Sequence, residues 1–381
     1  MKIIHVVSAY PPVTGGIETH VHSLATEQAK LGHNVLVITT SEKNAPSFEK
    51  HGRLTVQRHF AIRFPLFSSV RWIPFLAFRL MLEDADIYHS HGYGSLMPVC
   101  TSFAAFMKQK PSIFSLHGFP RLHGLGAVFQ MLYKLLFANF FLRVAKKVIS
   151  VGAASKPFIL DTVPASRIIA IPNGVDTQKF HTKKSIAQNN SNTILYVGRL
   201  DKDKGIDRII NAVSIANSKG VKFRVRIVGK DESLKHYLQA QAKKLGVNVA
   251  FCEVPYAAVQ NEYEDALVFV LASRYEGMSL VFMEAISCER VAFSTRVGDV
   301  PDVAQEVYSK KADFFFFNSD KELAQKIMEV SQNRRKFAAV MESARSRLEK
   351  KLSWHAVAQR TLKVYNDVLF NKYLSPNTER M

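Results

Sequence analysis

Two cations, two carboxylates and a histidine stand where short apolar runs give way to helical patterns. Arg199 and Lys204 lie in Val197-Gly198-Arg199-Leu200-Asp201-Lys202-Asp203-Lys204-Gly205, after a strand-like run and before a helix. Across such a turn both can converge on one diphosphate, the arginine as a fork and the lysine as a point charge. The plainer alternative is two solvated surface cations, and the place at a strand's carboxyl end favours the site. Glu276 and Glu284 lie in Arg274-Tyr275-Glu276-Gly277-Met278-Ser279-Leu280-Val281-Phe282-Met283-Glu284-Ala285. A carboxylate accepts paired hydrogen bonds from vicinal hydroxyls, so two along one wall suit a sugar and a ribose. Between them Gly277, Met278, Ser279 and Leu280 present N–H groups at a helix start, where phosphate oxygens could bind. Glu284 falls on a mostly apolar helix turn, where a carboxylate is costly without partners.

A third loop, Tyr10-Pro11-Pro12-Val13-Thr14-Gly15-Gly16-Ile17-Glu18, also joins a strand to a helix. Gly15 and Gly16 would let a ligand approach closely beside free helix-end N–H groups, although a tight turn needs the same residues. His117 ends a strand in Ser115-Leu116-His117-Gly118, as His89 and His91 do in His89-Ser90-His91-Gly92. A histidine at a strand end is a candidate hydrogen-bond donor to a ligand or a satisfied structural group. His117 stands between these readings, while His89 and His91 read as structural. Their spacing, without nearby cysteine or acidic ligands, does not resemble a zinc site, so no protein-held metal is expected.

The elements that must position these groups are α/β in pattern. Strand-like runs at 3–7, 35–39, 87–89, 112–115 and 148–151 alternate with helical spacing, and Gly32 stops the helix over Ile17–Leu31. Apolar runs without polar alternation, separated by helices, indicate parallel sheets buried on both faces. The polar stretch 177–192, with Lys183-Lys184 and Asn189-Asn190-Ser191-Asn192, reads as a linker, after which the alternation restarts. Two doubly wound halves predict a cleft with ligands at the strands' carboxyl ends. The length of 381 residues agrees with two domains. The 47% hydrophobic and 22% charged composition excludes a disordered chain. Three cysteines are too few for a disulfide framework and fit a reducing compartment. The opening apolar run is too short for a secretory signal, and Lys134 argues against a membrane span over Leu122–Leu142.

The net charge of +19 is unevenly placed: no acidic residue occurs from Lys50 to Leu82 or from Ile87 to Leu160. In these stretches Arg58, Phe60, Arg63, Phe64, Phe67, Arg71, Trp72, Phe75, Phe78 and Arg79 interleave. So do Phe119, Arg121, Phe129, Tyr133, Lys134, Phe137, Phe140, Phe141 and Arg143. Taken alone the aromatics would be core. The missing carboxylates point instead to a polyanionic partner, because a solvated face normally mixes signs.

Together these motifs resemble the retaining glycosyltransferases of family 4 (group 1), over almost the whole chain. The likeness is carried by Gly15-Gly16-Ile17-Glu18, His117-Gly118, Ile171-Pro172-Asn173-Gly174-Val175-Asp176, Gly198-Arg199-Leu200 with Lys204-Gly205, Glu276 with Glu284, and Leu352-Ser353-Trp354. The resemblance implies the GT-B fold, two Rossmann-like domains facing across a cleft. The expected segments are an acceptor-side domain over 1–176, the linker 177–192, a nucleotide-sugar domain over 193–352, and a helix over 353–374 that crosses back. It implies a nucleotide-diphosphate sugar donor (GDP- or UDP-linked), no metal or other cofactor, and retention at the anomeric carbon. By position, Arg199 and Lys204 would hold the diphosphate, Glu276 the transferred sugar and Glu284 the ribose. His117 would sit near the sugar, and the Gly15-Gly16 loop would close on phosphate and acceptor.

Two stretches depart from the family pattern. Ser287-Cys288-Glu289-Arg290 stands for a small-Gly-x-Pro turn, and Gly298-Asp299-Val300-Pro301-Asp302 for Gly-Gly-x-Pro-Glu. The expected activity is transfer of a hexose, mannose or glucose, to a lipid-linked or glycan acceptor. It would occur on an anionic membrane, with the protein peripheral on the cytoplasmic face and no nucleic acid partner. A soluble enzyme with a small acceptor, or a basic nucleic-acid-binding module with a vestigial sugar site, are the competing readings.

Overall fold

A computed structural model describes residues 1–13, 15–64, 67–118, 125–152 and 157–374. Phe119, Arg121 and the start of the candidate span at Leu122 lie outside these residues. The chain divides into two compact units, Met1–Gly174 with Trp354–Met381, and Val175–Ser353.

The N-terminal unit carries β1 (Lys2–Val6), β2 (Asn34–Thr40), β3 (Phe48–His51), β4 (Leu54–His59), the hairpin β5 (Ile62–Phe64) and β6 (Phe67–Trp72), β7 (Ile87–His91), β8 (Ser112–Leu116), β9 (Lys147–Ser150) and β10 (Ile168–Ala170). Eight of these form one sheet in the order β10-β9-β8-β7-β1-β2-β4-β3. All its pairings are parallel except β3 with β4. The central strands β7 and β8 are buried at every position and β1 at all but Lys2, as strands of a parallel sheet covered by helices on both faces are. On one face Ile3, Ile87 and Ile113 pack against Trp354, Val357, Leu362 and Tyr365 of the final helix, Trp354–Leu374. The C-terminal helix thus belongs structurally to the first unit.

The second unit carries β11 (Thr193–Val197), β12 (Arg224–Val228), β13 (Val249–Cys252), β14 (Val268–Leu271) and β15 (Val291–Ser294). They form a parallel sheet in the order β13-β12-β11-β14-β15, whose order reverses beside β11. In such sheets ligands bind outside the carboxyl ends of the strands at that reversal. Residues 177–192 are not a free connector. Phe180 and Ile186 are buried in this unit's core, and Asn189 donates to the Glu264 and Ala266 carbonyls. Two apolar anchors among polar residues leave no periodic signal, which is why the segment looks unstructured in sequence.

The acid-free stretches acquire carboxylates from outside themselves. Arg58 donates to Glu49, Arg71 to Glu42 and Lys134 to Asp161. The cationic excess is therefore less free than the sequence suggests, whereas Arg79 and Arg143 are exposed. The aromatics divide. Phe141 is buried, but Phe60, Phe75, Phe78 and Phe129 are exposed, so the core reading fails for these four. Val128, Met131, Leu135 and Leu136 are exposed as well. Residues Ala127–Val144 form an apolar helical stretch of 18 residues, long enough to cross a membrane, with only 17% of it buried. A helix Leu125–Tyr133, a π-helical turn Lys134–Ala138 and a helix Asn139–Val144 make it up.

Candidate active site

The second unit assembles its groups at the carboxyl ends of β11 and β14. After β11 the chain forms a 3₁₀ turn over Lys202–Lys204, capped by Asp201, whose carboxylate accepts from the Asp203 N–H at 2.7 Å. Gly205 follows at φ 60°, and a Cβ there would stand 2.2 Å from the Ala272 carbonyl oxygen. Only glycine lets this turn rest on the end of β14. The Arg274 N–H donates to the Asp203 carbonyl at 2.7 Å, and its guanidinium donates to the Lys202 carbonyl.

The two loops so fastened bring Lys204 to Glu276. Lys204 Nζ donates to Glu276 Oε1 at 2.8 Å, and Ser273 Oγ donates to the same oxygen at 2.7 Å. The pair is partly shielded, with side chains 17% and 14% exposed, so its charges act in a medium less polar than water. Beneath the loop Gly298, at φ 52°, would clash through a Cβ with the Gly277 carbonyl at 2.0 Å. Asp299 N–H donates to that same carbonyl at 3.1 Å. The Asp299 side chain is buried at the head of the helix Val300–Tyr308. The family departure at 299 therefore lies directly against the Gly277 loop.

Ser279 stands at the N-cap position of the helix Leu280–Ser287 without a side-chain capping bond, and space is open at the Gly277 Cα. Gly277, Met278, Ser279 and Leu280 thus sit together at a helix N-terminus, with Lys204 and Glu276 alongside. Glu284, farther down this helix, is buried with both oxygens engaged. Oε1 accepts from Tyr256 at 2.9 Å and Oε2 from Tyr263 at 3.0 Å. Burial pushes its pKa up to about 7, against the opposing pull of these hydrogen bonds and of Lys179. Each oxygen keeps a lone pair for a further donor. Tyr256 and Tyr263, the partners that make the buried carboxylate tolerable, carry no spacing signal relative to Glu284.

Arg199 is placed differently from the expectation. It is 59% exposed and donates to both oxygens of Glu232 at 3.0 Å. Lys204 and Arg199 are each held by a separate carboxylate rather than aimed at a common point. Glu232 was invisible as a partner because it lies 33 positions away.

In the N-terminal unit the Gly15-Gly16 pair opens the helix Gly16–Lys30, with Gly15 extended at φ 179°. His117 follows β8 and does not stand alone. His5, His20, His89 and His91 are buried around it. His5 and His89 are register partners on β1 and β7, and side chains two apart on a strand share a face, which adds His91. Nitrogens of His5, His89 and His91, and of His20, His91 and His117, lie within 4.8 Å of one another. Neither trio includes a carboxylate or thiolate; a hydrogen bond joins His5 to His91 and another His91 to His117, while His89 bonds to Tyr365 and Ser115 and His20 to Asn173. Burial lowers His5 and His20 to about 4, and lowers His89, His91 and His117 well below the ordinary range, so all five are neutral near pH 7. His5 and His20 carry no local signal, since their strand and helix positions resemble ordinary core.

Comparison with known proteins matches residues 14–179 to Glycosyltransferase Family 4 and residues 177–347 to Glycosyl transferases group 1. The chain belongs to the family 4, group 1 glycosyltransferases. It is 27% identical over 377 residues to the phosphatidylinositol N-acetylglucosaminyltransferase gpi3 subunit of Schizosaccharomyces pombe, covering 94% of this chain and 78% of that one. It is 24% identical to an uncharacterized glycosyltransferase of Methanocaldococcus jannaschii, covering 96% of this chain and 98% of that one. Among solved structures, HepE of Anabaena in complex with UDP superposes with a TM-score of 0.71 at 18% identity, covering 96% of this chain and all of that one. The fold of this glycosyltransferase is GT-B, two Rossmann-like units with parallel sheets.

Proposed function

We propose that the protein transfers a hexosyl group, mannosyl, glucosyl or an N-acetylated relative, from a nucleotide-diphosphate sugar to a lipid-linked acceptor at a membrane surface. The observation that carries this reading is the meeting of Lys204, Ser273 and Glu276 beside the N-terminus of the helix Leu280–Ser287. A diphosphate leaving group gains negative charge in the transition state. A partly shielded ammonium and helix-end N–H groups are what stabilise it. Lys204 is assigned to the diphosphate, with Arg199 joining it on leaving Glu232; Glu276 is assigned to the sugar hydroxyls and Glu284 to the ribose. On this reading no metal is needed and the anomeric configuration is retained. Gly15, Gly16 and His117 serve the phosphate, the acceptor and the sugar.

The lipid acceptor is supported by the exposed apolar stretch Ala127–Val144, which carries the exposed Arg143 near its end and is followed by the exposed Lys146. It is supported too by the relative whose name specifies phosphatidylinositol. Lying in the interface with the cations toward lipid headgroups, this stretch would hold the protein peripherally on the cytoplasmic face. Free Cys100, Cys252 and Cys288 suit that compartment.

The test is a thermal-shift comparison of UDP, GDP and ADP, since a ligand that binds only the folded state raises its stability. It is followed by transfer from the matching sugar donor to lipid extracts or to small sugars. A small-sugar acceptor with no lipid transfer would replace the membrane reading with the soluble one. No response to any nucleotide would remove the donor assignment.

A further inference from the structure

Four of the five clustered histidines form two hydrogen-bonded chains that meet at one side chain, Gln28 of the first helix, while His20 bonds to Asn173 instead. In one chain Gln28 Oε1 lies 2.7 Å from His5 Nε2, His5 Nδ1 lies 2.8 Å from His91 Nε2, and His91 Nδ1 lies 3.1 Å from His117 Nε2. In the other, Gln28 Nε2 donates to Tyr365 Oη at 3.4 Å. That phenol lies 2.5 Å from His89 Nδ1, and His89 Nε2 lies 2.8 Å from Ser115 Oγ.

A neutral imidazole donates through one nitrogen and accepts through the other, so orientation passes from ring to ring. Two self-consistent arrangements exist, one the reverse of the other, and the orientation of the Gln28 amide selects between them. The short contact at His89 decides. A phenol is the more acidic donor and an imidazole nitrogen the more basic acceptor, so Tyr365 O–H donates to His89 Nδ1. Tyr365 must then accept from the Gln28 amide N–H. Gln28 Oε1 is left facing His5 and accepts from His5 Nε2–H. His5 Nδ1 in turn accepts from His91 Nε2–H, and His91 Nδ1 from His117 Nε2–H. His117 is left with a bare Nδ1 on a ring that His20 meets edge-on at 4.4 Å, an acceptor and not the donor that its strand-end position suggested.

We propose that Gln28, His5 and His91 are positioning residues that hold His117 as a hydrogen-bond acceptor for a substrate hydroxyl. This rests on the proposed place of His117 beside the transferred sugar. It also implies a class of donor. A neutral hexose offers an O–H to this lone pair, whereas a hexuronate carboxylate placed there would meet a second acceptor and be disfavoured. The neutrality of the buried rings keeps every link single-valued, because an imidazolium anywhere in the chain would donate from both nitrogens and break the sequence.

The test is ¹⁵N spectroscopy of histidine-labelled full-length protein at pH 7.5 without substrate, with donor kinetics alongside. The wild type should show protonated Nε2 and bare Nδ1 at His5, His89, His91 and His117. A protonated Nδ1 at His117 overturns the proposal outright. Gln28→Met, similar in size but without an amide, should give mixed tautomers at His117 and about tenfold lower kcat, less than the roughly hundredfold that a full ångström of misplacement can cost. KM for the nucleotide donor should hold. His5→Phe cuts the same chain and serves if Gln28→Met does not fold. Unchanged tautomers, or mixed tautomers with unchanged kcat, overturn it as well. Absence of turnover by the wild type with every nucleotide sugar strikes the proposed function instead, since the spectrum is read without donor.

Discussion

Acidification should unfold the N-terminal unit first. His5 and His20 are lowered from 6.5 to about 4 by burial, so between those values the unfolded chain takes up protons that the folded unit refuses. Folding stability therefore falls as pH falls through this window and is fully present above it. At about 1.4 kcal/mol per pKa step, each histidine removes about 2 kcal/mol by pH 5 and about 3 kcal/mol once the pH is below 4. Together they cost about 4 kcal/mol at pH 5, a large share of the ~5–15 kcal/mol that a domain has. His89, His91 and His117 are displaced in the same direction and add to the loss. The two tryptophans, Trp72 and Trp354, both lie in the N-terminal unit, so their fluorescence reports it selectively. Urea titrations at pH 7.5 and pH 5 should show the tryptophan midpoint falling sharply at the lower pH. A His5→Gln, His20→Gln variant should lose the share due to these two rings, about 4 kcal/mol at pH 5, while the other three histidines keep the rest. Equal midpoints at the two pH values for the wild type would refute the idea that these rings are buried and neutral.

Other expectations concern the second unit and the surface. Replacing Lys204 or Arg199 with alanine should lower kcat about a hundredfold, near 3 kcal/mol of transition-state stabilisation, with little change in melting temperature; wild-type turnover removes the residue from the site. Glu276→Gln should lower kcat while nucleotide binding, measured by calorimetry, persists. Glu284 has its pKa raised to about 7, so nucleotide affinity should rise with pH through that value as the carboxylate forms. In Glu284→Gln the affinity should be weaker and pH-independent, and a flat wild-type profile would count against the ribose assignment. Changing Arg79, Arg143 and Lys146 to glutamate should weaken co-sedimentation with anionic vesicles by about 1 kcal/mol per cation at low salt. Leu135→Ser with Leu136→Ser should weaken binding even at high salt, and vesicle binding equal to the parent in both variants would end the membrane reading.

Much of this protein was readable from local pattern. Unbroken apolar runs such as Val35–Ile38 and Leu267–Leu271 between helical spacings dictate parallel sheets, because only strands covered on both faces can be apolar throughout. Lys204 and Glu276 could be nominated because each follows a strand, where the chain must turn outward and expose polar groups. Their actual pairing through Ser273 and the Gly205 turn depends on how two loops far apart in sequence lie together.

The same distance hid the partners of Glu284, the carboxylate that holds Arg199, and the anions that neutralise Arg58, Arg71 and Lys134. A charge count along the chain cannot see an ion pair closed by folding. Phe180 and Ile186 show the limit for core residues too, since two anchors in a polar segment have no period to betray them. The histidine network is the clearest division. Each ring sits at an ordinary position of a strand or helix, and no spacing in sequence relates them. Only the parallel register of β1, β7 and β8, with the first and last helices packed over one end of that sheet, brings Gln28 and Tyr365 to the rings and gives the hydrogen-bond chains their direction.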